Sequence, residues 1–357
     1  MISPLPLLSF HDSKYWFSRL NEKLDLPLGY HKIQWFESGA KAIAIICHHL
    51  QKKLDRRLNI LLPSYFCGQS LSFLRSLPIN FHFYQIDESN KFKANAILME
   101  YQQGAVDIMV HVHYFGMITG QEESRAVANQ LGALLIEDCA HVISPDVSEK
   151  WVGDVLLFSP HKYFAIPSLG LAIFKEDLNL DKFKSKKRLQ PVWIAKNLSK
   201  RVLRNAPKVK WNCKWSSEKK VLEFREPVNW HKNICSRYLS EWEVCGEVRK
   251  NNQTKLLSKL ETITGWKPIL HEHGIPYLLC MQCDTRIIAK RRFAFLNQNF
   301  QLTMQWPDLP SEIRNNLKLM ELAQDWVEKR LFFFIHQTLE EKKWLSEIDK
   351  ATNIEGF

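Results

Sequence analysis

Four polar residues, Asp138, His141, Ser159 and Lys162, stand just past the ends of apolar runs in the stretch from Ala133 to Phe174. The stretch reads ALLIEDCAH, GDVLLFSPHKYF and PSLGLAIF, three short apolar runs closed by polar or turn residues, the pattern of buried strands in a parallel sheet. Asp138 closes the first run, and Ser159, His161 and Lys162 follow the second. A carboxylate, a hydroxyl and an amine would then emerge at the carboxyl edge of the sheet, where open α/β sheets bind ligands. Taken singly, an Asp after a strand reads as a helix cap and a Lys in a loop as a solvated charge. Together, an acid and a lysine from two strand ends suit pyridoxal phosphate, whose aldehyde condenses with a lysine amine and whose pyridinium nitrogen needs an acidic partner.

Those residues need elements to hold them. Glu37-Ser38-Gly39-Ala40 leads into KAIAIICHHLQKKL, a helical run with a Ser/Gly start and lysines in its last turn. On its own this is a capped amphipathic helix, and its first turn also presents free N–H groups that would seat a phosphate. LNILLPSYFC predicts a strand ending at Pro63. Tyr65 and Phe66 then lie at its carboxyl end, where one would stack on a flat cofactor and either would equally serve the core. A helix over about 68–76, strands at 79–85 and 106–112, and a polar helix near 121–131 continue the α/β alternation. His113, after the strand ending at Val112, is expected to fix a loop through a hydrogen bond rather than to react.

Two flanking regions complete the chain. Near the start, Tyr15, Trp16, Leu20 and Leu24 fall at helical spacing, the mark of a helix that packs. In the second half, FREPVNWHKNICSRYLSEWE predicts a long helix running on through Lys259. It leads to strands at 275–283, 300–305 and 331–335, separated by helices at 285–297 and 311–327 and followed by a last helix. This divides the chain into a large unit over 1–245 and a compact smaller one over 246–357.

The chain has 357 residues, 45% of them hydrophobic, enough for a sizeable core. No run approaches the length that spans a bilayer, and MISPLPLLSFHDSKYW has no basic segment before its apolar patch, so a cytoplasmic protein is expected. Eight cysteines are scattered; Cys280 and Cys283 form the one C-x-x-C, inside an apolar run and without a second ligand pair for zinc. They read as reduced core residues rather than a redox pair. Net charge is +11, and much of the excess lies between Lys182 and Lys220. That stretch is a solvated face or excursion loop, an electrostatic funnel for a diphosphate-bearing substrate, or a patch for an anionic membrane surface or nucleic acid. No nucleic-acid motif accompanies it, which ranks the funnel above nucleic acid.

The motifs also carry a resemblance. HYFG at His113 to Gly116, IEDCAH at Ile136 to His141, the Gly153-Asp154 pair and FSPHK ending at Lys162 resemble the DegT/DnrJ/EryC1/StrS family of sugar aminotransferases. ESGAKAI, LPSYF, MQWPDLP and FFIHQTL follow the family's order, so the resemblance spans most of the chain. It implies the fold type I architecture of pyridoxal phosphate enzymes: a large, mostly parallel α/β/α sheet domain and a smaller C-terminal α/β domain. It implies Lys162 as the catalytic lysine, Asp138 as the partner of the pyridine nitrogen and His141 beside the cofactor. By the same resemblance Ser38, Gly39 and Ala40 hold the phosphate and one of the aromatics after Pro63, Phe66 in preference to Tyr65, lies at the ring; Ser159, three residues before Lys162, is close enough for its hydroxyl to reach the phosphate. The implied activity moves an amino group from an amino donor to a nucleotide-linked keto-sugar, in a homodimer that binds no nucleic acid.

The chain departs from the family pattern in three places. The turn after the lysine is Pro167-Ser168-Leu169-Gly170, with one glycine where relatives usually have two. Cys67 stands four residues after Pro63, where many relatives carry the stacking aromatic, and NWHKNICSRYL, with Arg237, is the nearest counterpart of an expected Asn-x-Arg segment. The cofactor residues would equally serve decarboxylation, elimination or condensation, and the departures also fit a binding or regulatory relative without catalysis.

Overall fold

The computed structural model describes residues 26–87, 93–148, 150–180, 214–270 and 273–353. The expected helix over 9–24 and most of the basic stretch 182–220 lie outside the described residues.

Seven strands form one sheet: β1 (Lys32–Phe36), β2 (Leu58–Pro63), β3 (Ile79–Tyr84), β4 (Ile108–Val112), β5 (Leu134–Cys139), β6 (Val155–Phe158) and β7 (Gly170–Phe174), in the spatial order β1-β7-β6-β5-β4-β2-β3. The five from β3 to β6 run parallel. β7 departs from the parallel expectation and runs antiparallel to both β6 and β1. The cause is the link between β6 and β7, which holds only a single 3₁₀ turn, Pro160–Lys162, whereas a parallel return needs a crossover of about a dozen residues or more. This reversal brings Gly170 opposite Phe36, beside the start of the first helix.

That helix, α1 (Gly39–Leu54), is capped by Ser38, whose hydroxyl accepts from Lys41 N at 3.2 Å. It buries Ala42 to Cys47 in one face of the sheet, together with Ile108, Val110, Ile136, Val155, Leu157 and Ala172. Alternate residues, among them Met109, Leu135, Cys139, Leu156, Phe158 and Leu171, face a second apolar layer. Burial on both sides explains why these strands read as continuous apolar runs. The remaining helices are α2 (Ala94–Glu100), α3 (Gln121–Leu131), α4 (Asn229–Ser240), α5 (Trp242–Leu260), α6 (Arg286–Asn299), α7 (Leu317–Glu328) and α8 (Glu341–Thr352).

The second half builds an antiparallel sheet, ordered β11 (Thr303–Met304), β13 (Arg330–Phe334), β10 (Leu278–Cys283), β9 (Trp266–Ile269). A short parallel pair, β8 (Lys214–Ser216) with β12 (Asp308–Pro310), sits apart from it. The single long helix expected through Lys259 is instead α4 and α5, broken at Glu241, whose backbone leaves the helical region (φ −108°, ψ 17°). The helix expected at 68–76 is two 3₁₀ turns, Gly68–Leu71 and Leu74–Ser76. There the Asp308 carboxylate takes the Gln69 N–H at 3.1 Å, and Gly68 lies so close to the Leu309 carbonyl that a Cβ would stand 2.5 Å from it. Cys280 and Cys283 are buried and unbridged, their thiols pushed up to about 12 and about 11 by burial. Among the described residues, no helix is long and apolar enough to cross a membrane, and no group of three His, Cys, Asp or Glu side chains could hold a metal ion.

The period of two along β5 divides its acids between the two faces. Glu137 lies on the face away from α1, where it accepts from His113 Nε2 at 2.7 Å, Gln121 Nε2 at 3.2 Å, Val152 N at 2.8 Å and Gly153 N. His113 thus bonds Glu137, and it is Glu137 that holds the loop before β6. Burial raises the Glu137 carboxyl, but the hydrogen bond and charge of His113, the charge of His111 and the Gly153 N–H outweigh it and hold the group at about 2. A carboxyl depressed in the folded state stabilises the protein above its ordinary value of 4.5, and this contribution is lost as pH falls from 4.5 toward about 2. On the order of 3 kcal/mol is therefore expected to disappear over that window. Urea unfolding measured across it should show the loss in the native sequence and only a small part of it in Glu137→Gln; equal slopes would contradict this reading.

Candidate active site

At the carboxyl ends of β4, β5 and β6 lies a cavity of about 370 Å³. Val112, Asp138 and Leu157, neighbours across three strands, form its floor. Ser38, Gly39 and Ala40 close one end, and Phe66, Cys67, Gln69 and Ser70 one side. His141, Ser159, His161 and Lys162 complete the chemistry-bearing wall, and Tyr114 and Trp306 also line the cavity. All eight residues singled out from the sequence, Lys162, Asp138, His141, Ser159, Ser38, Gly39, Ala40 and Phe66, line this one space.

Each is placed by its local structure. Asp138 is carried by β5 between Val112 and Leu157, and its Oδ1 accepts from Ala140 N at 2.9 Å. Lys162 ends the 3₁₀ turn that Ser159 opens, its N–H donating to Ser159 O at 3.0 Å. Among the described residues the Lys162 amine pairs with no carboxylate within 4.0 Å. Yet Lys162 and Asp138 act on each other. Burial lowers the lysine and Asp138 opposes that; burial raises the aspartate and Lys162 opposes that. Two opposite charges that feel one another across an open cavity, without closing into a salt bridge, leave room for a group between them.

His141 is held as a neutral ring. Its Nδ1 accepts from Phe115 N at 3.3 Å, leaving the ring proton on Nε2, and burial followed by the charge of Lys162 drives its pKa well below the usual histidine range. The ring stacks on Tyr277 with centroids 4.8 Å apart. His161 is likewise held down, to about 4, by burial and by Lys162. Phe66 lies in the cavity wall, while Tyr65 turns into the core, donating to Ile86 O at 2.6 Å and stacking on Trp326 at 4.2 Å. Cys67 lines the cavity with its thiol on Asp308 Oδ1 at 3.4 Å.

The other end of the cavity is built for close approach. A Cβ on Gly39 would stand 2.6 Å from Ser159 Oγ, and this hydroxyl makes no hydrogen bond among the described residues. A Cβ on Gly170 would come within 2.5 Å of the Ser38 carbonyl carbon and 2.8 Å of Gly39 N. Glycine at both positions lets β7, the start of α1 and Ser159 converge. The first-turn N–H groups of α1 then face Ser159 across a polar notch, the geometry of an anion seat.

Several lining residues carried no isolated signal in the sequence. Trp306 arrives from between β11 and β12, and Gln69, Ser70, Ser72 and Phe73 come from an irregular segment; only the fold brings them here. Lys220, at the end of the basic stretch, lines the cavity from its exposed mouth, its ammonium 6.0 Å from the Phe73 ring centroid with Lys41 at 5.4 Å from the same ring.

The architecture is that of solved aminotransferases. PseC of Helicobacter pylori, an aminotransferase involved in the biosynthesis of pseudoaminic acid, matches with a TM-score of 0.69 at 12% identity, over 98% of this chain and 97% of that one. A putative sugar aminotransferase from Streptococcus pneumoniae, in its PLP form, matches at 0.68 and 11% identity, over 98% and 97%. A DegT DnrJ EryC1 StrS aminotransferase from Brucella abortus matches at 0.63 and 14% identity, over 92% and 87%. Identities this low establish the fold, which is the one the motifs implied. No protein-family model matches the sequence, and no curated protein matches it either.

Replacing Gly170 by alanine puts a methyl group against backbone that cannot move without shifting α1, so a loss of about 1–3 kcal/mol is expected. Ser168→Ala, in the exposed part of the same turn, should stay within about 0.5 kcal/mol. Urea unfolding of the two variants checks this, and equal stability would show that the close approach at Gly170 is not needed.

Proposed function

We propose that the protein is a pyridoxal phosphate-dependent aminotransferase acting on a keto-sugar carried by a nucleotide. The observation that carries the reading is the Lys162–Asp138 couple: a half-buried amine and a half-buried carboxylate facing one cavity without pairing, with an anion seat at its end. The residues fit the cofactor. Ser38, Gly39 and Ala40 offer the helix start and Ser159 a hydroxyl to a phosphate, Asp138 a carboxylate to a ring N–H, and Phe66 an apolar face to the ring.

When bound, the cofactor supplies an electron sink for the substrate carbon and a resting place for the amino group. The chain's own residues do the rest. Burial lowers the Lys162 pKa, so more of the amine is neutral and nucleophilic, ready to bond the cofactor aldehyde and later to carry a proton to and from the substrate carbon. The Asp138 carboxyl, raised by burial, needs a cation beside it to stay ionised; Lys162 supplies part of that field, and a ring N–H would supply more. His141, neutral with its proton on Nε2, offers a donor to an oxygen at the cofactor ring.

The sugar part of the substrate is supported by solved structures of this fold, among them a putative sugar aminotransferase, and its anionic part by Lys220 at the mouth. Lys220 lines that mouth beside Phe73, sharing its charge with Glu218 at 3.2 Å; it suits an anionic substrate, and the rest of the basic stretch would extend the attraction. Residues 1–245 would serve as the cofactor-binding unit and 246–357 as the smaller one, in a cytoplasmic homodimer of the kind the family resemblance implies.

Protein mixed with pyridoxal phosphate is expected to gain a visible absorption band that Lys162→Ala does not form, and an amino donor should bleach it as the amine form of the cofactor accumulates. Asp138→Asn should retain cofactor yet lose about 10²-fold or more in the rate of that bleaching, because it can no longer hold the ring proton by charge. Binding without bleaching by any donor would move the reading to another pyridoxal phosphate reaction; no band at all would end it.

A further inference from the structure

A charge lies buried beside this site with no counter-charge. Arg249, on α5, is 0% exposed, and among the described residues no carboxylate pairs with it. Burying a guanidinium this way is unfavourable unless its N–H groups are well used. All its hydrogen bonds go to neutral oxygens: Nε to Gln337 Oε1 at 2.9 Å, Nη1 to Tyr277 O at 2.9 Å, and Nη2 to Tyr163 O at 3.5 Å. The guanidinium also lies over the Tyr163 ring, 4.4 Å from its centroid. Gln337 donates from Nε2 to the same Tyr163 carbonyl at 2.7 Å.

Tyr163 is the residue after Lys162. Its hydroxyl donates to His141 O at 2.5 Å, with the Ile275 carbonyl oxygen 3.1 Å away as the alternative acceptor. One tyrosine is thus held at its carbonyl, ring and hydroxyl, and it ties the turn that carries Lys162 to the turn that carries His141. Tyr277 extends the tie, because its ring stacks on His141 and its N–H donates to Phe115 O at 2.7 Å. Arg249 does not line the cavity, so it is no receptor for a substrate carboxylate.

We propose that Arg249 and Gln337 form a clamp on Tyr163 that positions the Lys162 amine and the His141 ring relative to Asp138. The inference rests on the aminotransferase reading for its purpose, but the clamp itself is a property of the chain. Arginine suits it because a planar fork reaches three acceptors at once, which a lysine cannot do. The titratable groups that act on Lys162, or feel its charge, are Asp138, Cys67, His141 and His161, and the clamp holds the backbone of two of the turns that carry them.

The first variant is Gln337→Glu. It keeps the reach to Arg249 and adds a carboxylate to pair with it, so melting temperature should hold or rise, but it removes the donor to the Tyr163 carbonyl. The added carboxylate also raises the Lys162 amine by its charge, so Arg249→Lys, which leaves the net charge unchanged, is the control: a merely structural role predicts no shift there. The clamp predicts that, in cofactor-free protein, the pH midpoint of Lys162 acylation by an amine-selective reagent, read by peptide mass spectrometry, rises by about one unit as the amine becomes better solvated. Affinity for pyridoxal phosphate should weaken about tenfold. Arg249→Met and Arg249→Lys should both show the same shift, since charge without the fork does not restore the clamp; if either fails to fold, the remaining variants decide. An unchanged acylation midpoint in folded Gln337→Glu or Arg249→Lys overturns the proposal. Should the native protein bind no pyridoxal phosphate, the functional reading fails, while the acylation midpoints still judge the clamp.

Discussion

A lysine and an aspartate held apart at one half-buried cavity are what the rest of this structure serves. Left free, the two would close into a salt bridge or give up their charges, because neither is well solvated there. They do neither. The aspartate is rooted in a central strand and the lysine ends a one-turn helix anchored by its own backbone hydrogen bonds, so their separation is set by the sheet and not by their attraction. Each is biased toward its neutral form by burial and toward its charged form by the other.

Keeping that separation takes support from both sides of the sheet. On one side, the start of α1, β7 and Ser159 meet at glycines that leave space for an anion instead of a side chain. On the other, Glu137, bonded by His113, holds the loop that precedes β6, and so the register of the strand from which Ser159 and Lys162 emerge. From the second half of the chain, Asp308 pins the Cys67–Gln69 segment, while Arg249 and Gln337 pin Tyr163. The second half of the chain is therefore more than an appendage, since its residues fix the walls against which the strand ends are aligned.

Much of this was legible in the residues. Apolar runs closed by polar residues located β5 and β6, and the same ends located Asp138 and Lys162, because in a sheet buried on both faces chemistry has little place except at the termini. The Ser38 cap was legible from its chemistry. What the sequence did not show follows from long-range packing. The direction of β7 depended on how little structure lies between it and β6, and the irregular 68–76 segment on an aspartate over two hundred positions away. The side-chain partners of Glu137 and Arg249 depended on which strand faces they share, and no spacing rule conveys that. Cys67, where the family pattern led us to look for an aromatic ring, does lie in the cavity wall.

The most direct test of the central claim is to reduce the protein with borohydride in the presence of pyridoxal phosphate and map the modified peptide by mass spectrometry. The account predicts one pyridoxyl group, on Lys162, and no labelled peptide in Lys162→Ala. A label spread over surface lysines, or confined to a lysine other than Lys162, would contradict it.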